Sequence, residues 1–344
     1  MKLRYLIAGA YGFAGAALAA KLLSRKRDVA WDEHAAELHH AEKSRFAEID
    51  GVRVHYQEAG EENAPPVVLI HGFCASNFVW SDVLVPLADA GFRIIAPDLV
   101  GFGFSEKPRR VEYTIAAQSR MITRLLDHLG IERAAIVGSS YGGAVAAMAA
   151  LDYPDRVERL ALVGAVINDD IKKEMLMRMA ASPLVGDLLS PLLLDSRRMV
   201  RWRMKNVYAE CASPHLHDEK RLEAHHRPLR AARTQRAVLR TLRQWNAERI
   251  AREAHLIKQP TLLVWGENDL DVPLRDGEHL FDSIPHARFI VFRRCGHLPM
   301  EEYPREFAEV IKNFVGAETV SVAPPRATDD ADILNKEKVV AARL

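Results

Sequence analysis

One serine in this 344-residue chain has the surroundings of a catalytic nucleophile. Ser140 lies in the G-x-S-x-G segment 138–142, directly after the apolar run 134–137 and directly before a segment with helical spacing. A serine on a sharp turn between a strand and a helix presents its hydroxyl above the sheet, and the flanking glycines remove side chains that would clash. A glycine-rich turn without chemistry would look the same, so the decision depends on whether Ser140 has partners.

A serine hydroxyl is a poor nucleophile at neutral pH, so it needs a general base and an acid that orients this base. His297 follows the last strand-like run, and Asp269 and Asp271 follow the run before it. Loops at the ends of parallel strands are where sites form in α/β sheets. The sequence therefore predicts a Ser140–His297 pair with one of the two aspartates behind the histidine.

Short apolar runs and helical segments must hold these residues in place. A hairpin is predicted for 46–49 and 52–57 around Asp50-Gly51, because this dipeptide favours a tight turn. Six buried parallel strands are predicted at 67–70, 93–96, 134–137, 160–163, 261–264 and 289–292. Helical spacing occurs at 81–90, 114–129, 141–152, 275–283 and 304–315. The βαβα order predicts a doubly wound, mostly parallel eight-stranded sheet.

The alternation stops between about residues 166 and 259, where helical stretches occur without a clear strand. We expect a helical cap there, inserted between the core segments 44–165 and 260–315. The arginines from Arg197 to Arg252 indicate a solvated helical face, with binding of an acidic substrate or an anionic membrane as the alternative. Residues 28–43 are predicted to be a linker, and the polar, Pro-containing segment 316–344 a disordered tail.

The amino terminus has the outline of a membrane-targeting segment. Residues 5–20 carry no charge, and basic residues stand on both sides of the run. We expect residues 1–27 to be a membrane anchor, with the catalytic domain in the cytoplasm because the heavier positive charge follows the run. The alternative is a cleaved signal, with export, at Ala17-Leu18-Ala19. The glycines of 9–15 are similar to a dinucleotide-binding turn, but the further βα units of such a domain do not follow.

Charge and cysteine content exclude some functions. The net charge of +1 gives no general attraction to nucleic acid, so no nucleic-acid partner is predicted. Cys74, Cys211 and Cys295 are far apart, which indicates neither a disulfide framework nor a zinc ribbon. The scattered histidines lack the ligand spacing of a metal site, and no cofactor is predicted.

Five motifs together resemble the α/β-hydrolase family from about Phe46 to Val315. They are His71-Gly72-Phe73, the segment 98–105, the Ser140 turn, the segment 266–273, and Gly296-His297. The order Ser, Asp, His along the chain is the order of this family. The resemblance implies that Asp269, three residues after Gly266, is the acid, with Asp271 in reserve.

The resemblance also implies an oxyanion hole and a chemistry. The backbone N–H groups of Phe73 and Tyr141 are expected to hold the oxyanion, although Cys74 stands where the family often has glycine. Serine at position 140 argues against the dehalogenases and epoxide hydrolases of the family, which use aspartate. We therefore expect an esterase or lipase acting on a small-molecule acyl ester with an apolar chain, similar to monoacylglycerol lipase-like members. Cleavage of a carbon–carbon bond (as in meta-cleavage product hydrolases), a lactone or an amide remains an alternative, as does a non-catalytic binding module.

Overall fold

A single mixed sheet organises the protein. The computed structural model describes residues 38–170, 175–183, 185–187, 196–209, 214–231, 233–317 and 338–341, and also residues 12, 13, 15, 16, 18, 19, 31 and 35. The strands in these residues lie in the order β1-β2-β4-β3-β5-β6-β7-β8-β9. Their bounds are β1 Ser44–Ile49, β2 Val52–Ala59, β3 Pro66–Ile70, β4 Arg93–Pro97, β5 Ala134–Ser139, β6 Val157–Val163, β7 Thr261–Gly266, β8 Arg288–Phe292 and β9 Lys338–Ala341.

The hairpin and the parallel strands form as predicted. Asp50 and Gly51 both have positive φ, 49° and 73°, which is the conformation of a type I′ turn, and β1 pairs antiparallel with β2. β2 also pairs antiparallel with β4, whereas every later pair in the sheet is parallel. The predicted eight-stranded, doubly wound sheet is confirmed by β1 to β8.

Helices connect the strands and fill the interval between β6 and β7. Their bounds are α1 Ser81–Asp89, α2 Ile115–His128, α3 Tyr141–Asp152, α4 Met175–Ala181, α5 Arg197–Val207, α6 Glu219–Leu229, α7 Thr234–Arg243, α8 Glu248–Glu253, α9 Leu274–Ser283, α10 Pro299–Glu302 and α11 Pro304–Val315. Short 3-10 turns occur at Ala41–Lys43, Asn77–Trp80, Pro154–Arg156, Pro214–His217 and Ala254–Leu256. Helices α4 to α8 lie in the interval for which a cap is predicted.

The apolar core occupies both faces of the sheet. Val68 and Ile70 of β3 pack into one buried cluster, and Val67 and Leu69 pack into the other, because successive side chains of a strand point to opposite faces. A third, smaller cluster lies among the inserted helices and consists of Val200, Met204, Val207, Tyr208, Leu216, Leu222 and Leu229. The inserted helices therefore have a core of their own.

The carboxyl-terminal part of the chain differs from the prediction. Within the predicted disordered tail 316–344, Lys338–Ala341 form β9, which pairs parallel with β8. An edge strand presents unpaired backbone groups, and the β-branched Val339 and Val340 favour an extended conformation. The sheet consequently has nine strands in the described residues instead of eight.

Two further expectations need correction at particular residues. The end of the predicted linker packs on the core, since the His40 ring hydrogen-bonds the Ser81 carbonyl at 3.0 Å and the Gln57 amide donates to the His39 carbonyl at 2.7 Å. The solvated face predicted for the arginines fails at Arg221, whose side chain is only 10% exposed. Its charge is buried because acidic side chains of the core lie opposite it.

The predicted membrane segment, residues 1–27, lies almost wholly outside the described residues, as do its predicted cleavage site and most of its glycine turn. No helix in the described part of the chain is both long and apolar enough to cross a membrane.

Candidate active site

Ser140 occupies a strained turn between β5 and α3. Its φ and ψ are 56° and −119°, a backbone conformation that only glycine adopts without cost. Glycines on both sides make the turn possible: a Cβ on Gly138 would lie 2.2 Å from the Gly142 carbonyl oxygen, and one on Gly142 would lie 2.3 Å from the Ile70 carbonyl oxygen. The turn projects the Ser140 side chain beyond the carboxyl end of the sheet, as the sequence predicts.

Asp269 and His297 meet although 28 residues separate them. The His297 Nδ1–H donates to Asp269 Oδ2 at 2.7 Å, and both residues are buried, at 3% and 8% exposure. The other carboxylate oxygen, Oδ1, accepts the backbone N–H groups of Asp271 and Val272, each at 2.9 Å. Three hydrogen bonds thus fix the orientation of the carboxylate, and the carboxylate fixes the histidine ring.

Close backbone contact between two strand-end loops explains this meeting. In the loop after β7, the Glu267 N–H donates to the Phe292 carbonyl at the end of β8 at 2.9 Å, and the Asn268 N–H donates to the Cys295 carbonyl in the loop after β8 at 2.8 Å. A Cβ on Gly266 would lie 1.9 Å from the Gly296 carbonyl oxygen, so only glycine allows the approach. Gly164 directly follows β6 and has φ +48°. It allows a similar close approach beneath Asp269 and His297, because a Cβ on Gly164 would lie 3.0 Å from Asp269 Oδ2.

The protonation of His297 reflects two opposing influences. Burial disfavours the imidazolium and lowers its pKa, but the adjacent Asp269 carboxylate, by charge and hydrogen bond, and the charge of Asp271 outweigh burial. The net effect raises the pKa of His297 above its usual 6.5. A base poised in this way is suited to taking a proton from a hydroxyl near neutral pH.

Asp271, the reserve candidate, lies beside the pair and not in it. Its carboxylate faces the guanidinium of Arg203 at 3.4 Å. Burial raises the pKa of Asp271, and the nearby charges of Arg203 and His297 reverse this effect and lower it. The structure therefore brings Asp269, and not Asp271, into hydrogen-bond contact with His297 Nδ1.

Ser140 and His297 line one cavity of about 640 Å³, which we call the reaction cavity. Among the described residues, the His297 ring is hydrogen-bonded to Asp269 and not to Ser140, and hydrogen bonds of this kind often form or shorten only when substrate binds. The walls of the cavity come from the loop after β3 and from helices α5 and α6.

The two predicted oxyanion-hole residues also meet at Ser140. Phe73 lines the reaction cavity, Tyr141 directly follows the serine, and the centroids of their rings lie 6.2 Å apart. Among the described residues, neither backbone N–H donates to a carbonyl of a turn or loop, and the Tyr141 N–H, in the first turn of α3, has no partner within the helix. Cys74 adopts φ +56°, which explains why glycine would suit this position.

A buried network behind this loop was missed as a functional element at the sequence level. Asp98 accepts hydrogen bonds from His55 Nδ1 at 2.7 Å and from the backbone N–H groups of Asn77 and Phe104, each at 2.8 Å. Burial would raise the pKa of Asp98, but these donors and the nearby His71 lower it to about 2. The charged carboxylate thus holds the backbone after β3 in place from behind.

Two further cavities adjoin the reaction cavity. The apolar cavity, of about 840 Å³, lies under the inserted helices and includes Met177, Met199, Leu239 and Leu242. The polar cavity, of about 980 Å³, is lined by Ser140 and by Asn168, Asp170, Arg275 and Asp276. Phe73 and Arg203 line all three cavities. Ser140 therefore lines the reaction and polar cavities, and the apolar cavity adjoins the reaction cavity through the shared walls Phe73, Cys74, Val200, Arg203 and Leu229.

Known proteins with similar sequences include hydrolases. The sequence matches the family described as alpha/beta hydrolase fold over residues 65–304. It is 29% identical over 269 residues to the uncharacterized hydrolase YugF of Bacillus subtilis, covering 78% of this chain and 96% of that protein. It is 31% identical to 2-hydroxy-6-oxo-6-phenylhexa-2,4-dienoate hydrolase of Comamonas testosteroni, covering 81% of this chain and 98% of that protein.

Among solved structures, the protein is similar to a membrane phospholipase A described as a bacterial virulence factor. The identity is 25%, the TM-score is 0.65, and the match covers 92% of this chain and 96% of that one. The family match, the sheet order and the strand-end site agree with one another. The chain belongs to the α/β-hydrolase fold family and is a hydrolase.

Proposed function

We propose that the protein cleaves carboxylic esters with an apolar acyl chain, using Ser140 as nucleophile, His297 as general base and Asp269 as the acid that orients this base. The observation that carries the proposal is that Ser140 and the Asp269-bonded His297 line one cavity, and that this cavity shares walls with an adjoining apolar cavity. An ester carbonyl at Ser140 can extend its acyl chain between the methionines and leucines of that cavity.

The chemistry follows from the geometry. Ser140 Oγ attacks the ester carbonyl carbon while His297 Nε2 takes the hydroxyl proton, and Asp269 holds the ring so that Nε2 is the free nitrogen. The N–H groups of Phe73 and Tyr141 stabilise the oxyanion of the tetrahedral intermediate. His297 then protonates the departing alcohol, leaving an acyl-enzyme. A water molecule, deprotonated by His297, hydrolyses the acyl-enzyme and releases the acid.

Labelling and turnover test this proposal together. Fluorophosphonate labelling reports on an activated serine, and p-nitrophenyl esters of increasing acyl length report on turnover. We expect the wild type to label, to hydrolyse esters and to prefer longer acyl chains, and we expect Ser140→Ala to lose both activities. A folded wild type that neither labels nor turns over any ester would refute the enzymatic proposal and would favour a binding module.

A second candidate is cleavage of a carbon–carbon bond in a dienoate. It is supported by relatives named as dienoate hydrolases and by Arg203, whose guanidinium lines the reaction cavity and could bind a substrate carboxylate. Arg203→Met should abolish turnover of a 2-hydroxy-6-oxo-dienoate if this is the substrate, and should change hydrolysis of an uncharged ester little. Faster turnover of the dienoate than of any ester would select this candidate.

We also propose that residues 1–27 attach the protein to a membrane, with the catalytic domain on the cytoplasmic side. The structural match to the membrane phospholipase A covers 92% of this chain, more than the 80% covered by the match to a meta-cleavage product hydrolase structure. Helix α5 exposes 59% of Trp202 and carries the exposed cations Arg198 and Lys205, residue types that favour an anionic lipid surface. Full-length protein should resist carbonate extraction from membranes. An extracted protein whose amino terminus begins after Ala19 would favour export instead.

A further inference from the structure

Glu301 is a buried carboxylate that the proposed reaction does not use. It belongs to α10, four residues after His297, and it is 0% exposed. Its Oε2 atom accepts a hydrogen bond from the Tyr208 hydroxyl at 2.7 Å and another from the Arg221 guanidinium, and it lies 3.3 Å from His225 Nε2. Burial would raise the pKa of Glu301, but the contacts with His225, Arg221 and Tyr208 lower it to about 2. The group is therefore a stable buried anion.

All three partners of Glu301 come from the inserted helices. Tyr208 directly follows α5, and Arg221 and His225 belong to α6. Arg221 also pairs with Asp82 of α1, so one guanidinium joins two carboxylates of the core. A buried ion pair loses much more when one partner is removed than an exposed pair does. Glu301 thus bonds both α6 and the residue after α5 to the core.

The backbone next to Tyr208 is bonded to the loop that carries His297. The His297 N–H donates to the Val207 carbonyl at 2.6 Å, and the Ala209 N–H donates to Glu302 at 2.9 Å. A Cβ on Gly296 would lie 2.4 Å from the Val207 carbonyl oxygen, so the approach depends on glycine. Residues 207–209 and the His297 loop therefore form one packed unit, adjacent to Glu301.

The contacts of Glu301 with Tyr208 and His225 hold two side chains of the reaction cavity in place. Tyr208 and His225 line that cavity together with Ser140 and His297. Glu301 itself is not among the lining residues, so it reaches the cavity only through these partners. Without its charge, the hydrogen bonds of Glu301 with Tyr208, Arg221 and His225 would lose their charge assistance, while the Asp269–His297 pair would keep all its hydrogen bonds.

We propose that Glu301 is a positioning residue for substrate selection: by holding Tyr208, Arg221 and His225 it fixes α5 and α6 over the reaction cavity and thereby sets the fit of long acyl chains. This inference rests on the proposed function, because it assigns the selectivity of the same site. Short acyl groups need only the reaction centre, whereas long chains also need the walls contributed by α5 and α6.

Glu301→Gln in the full-length chain tests the inference, since glutamine keeps the shape and removes the charge. The measurements are kcat and KM for p-nitrophenyl acetate and p-nitrophenyl decanoate, with the rate of fluorophosphonate labelling. A charge-assisted hydrogen bond contributes enough that its loss should lower kcat/KM for the decanoate about tenfold or more, mainly through a higher KM. Acetate turnover and labelling should change less than about threefold.

Two variants complete the design. Glu219→Gln is the matched control. Glu219 lies on α6, the helix that also carries Arg221, and pairs with Arg197 and Arg201 of α5. Because Glu219 is exposed, kcat/KM should be unchanged for both esters. Arg221→Lys keeps the charge but cannot bridge Glu301 and Asp82 with a planar fork, so it should reproduce the selective loss. It also serves as the test should Glu301→Gln not fold.

The outcomes separate the inference from the proposed function. Equal losses for both esters, or no loss for either, in the folded variants would overturn the positioning role. A folded wild type that neither labels nor turns over any ester would refute the proposed function. In that case amide hydrogen exchange of residues 197–209 still tests the structural part of the inference. Faster exchange in Glu301→Gln supports the role of Glu301 in holding α5 on the core, and unchanged exchange overturns it.

Discussion

The assignment of Asp269 as the orienting acid can be tested by changing one atom. In Asp269→Asn, the side-chain oxygen should remain on the N–H groups of Asp271 and Val272, since it is the only acceptor that can receive these two 2.9 Å hydrogen bonds. The new amide NH2 then faces His297 Nδ1, where Oδ2 now stands at 2.7 Å. A donor at this place forces Nδ1 to accept, so the ring proton moves to Nε2.

A histidine in this tautomer cannot take the proton of Ser140. We expect kcat to fall about 10³- to 10⁴-fold, which corresponds to about 4 to 5.5 kcal/mol of transition-state stabilisation, because the tautomer is wrong while the geometry persists. KM should change little, since Asp269 lies behind the histidine and outside the lining of the reaction cavity. The assay is hydrolysis of a p-nitrophenyl ester at pH 8.5, together with the rate of fluorophosphonate labelling.

Asp271→Asn is the matched control. Asp271 lies two residues away, but its carboxylate faces Arg203 and makes no hydrogen bond with His297 among the described residues. We expect kcat to change less than about threefold at pH 8.5, as is usual for a partly exposed ion pair. A large loss in Asp271→Asn together with near-normal activity in Asp269→Asn would refute the reasoning and transfer the role to Asp271.

Three further predictions concern the same site. Because the pKa of His297 is raised and its neutral form is the base, kcat/KM should fall as the pH drops through a midpoint above 6.5. Asp271→Asn should lower this midpoint, since the Asp271 charge contributes to the raised pKa. An unchanged midpoint would contradict that contribution. Ser140→Gly should raise the free energy of unfolding by about 1 kcal/mol relative to Ser140→Ala, since it relieves φ 56°, while neither variant should label; equal urea midpoints would argue against strain. Gly164→Ala should lower kcat about tenfold or more, because the new Cβ would lie 3.0 Å from Asp269 Oδ2 and displace this carboxylate. A kcat equal to that of the wild type in a steady-state assay would contradict this expectation.

The strands and the Ser140 turn could be predicted because their signals are local. The Asp50-Gly51 turn, the apolar runs and the glycines around Ser140 each act through neighbouring residues, and the structure forms the corresponding elements within a few residues of the predicted bounds. The order Ser, Asp, His along the chain then identified the family, which the match over residues 65–304 confirms. The catalytic roles of these residues remain proposals.

Long-range contacts could not be predicted in the same way. The arginines of α5 and α6 are indistinguishable in the sequence, yet Arg197 and Arg201 pair with exposed Glu219 while Arg221 is buried between Asp82 and Glu301. Asp82 and Glu301, which lie 139 and 80 positions from Arg221 in the sequence, decide this difference. A residue count or a charge pattern carries no information about such partners.

The sequence by itself therefore determined the α/β order of elements, the turn that presents Ser140 and the two strand-end loops that carry Asp269 and His297, because each depends on local periodicity or on the conformation of a few adjacent residues. The tertiary structure alone decided that Asp271 pairs with Arg203, that β9 extends the sheet, and that Glu301 holds the inserted helices on the core. These outcomes depend on which distant groups share a buried environment, and burial is a property of the packed chain.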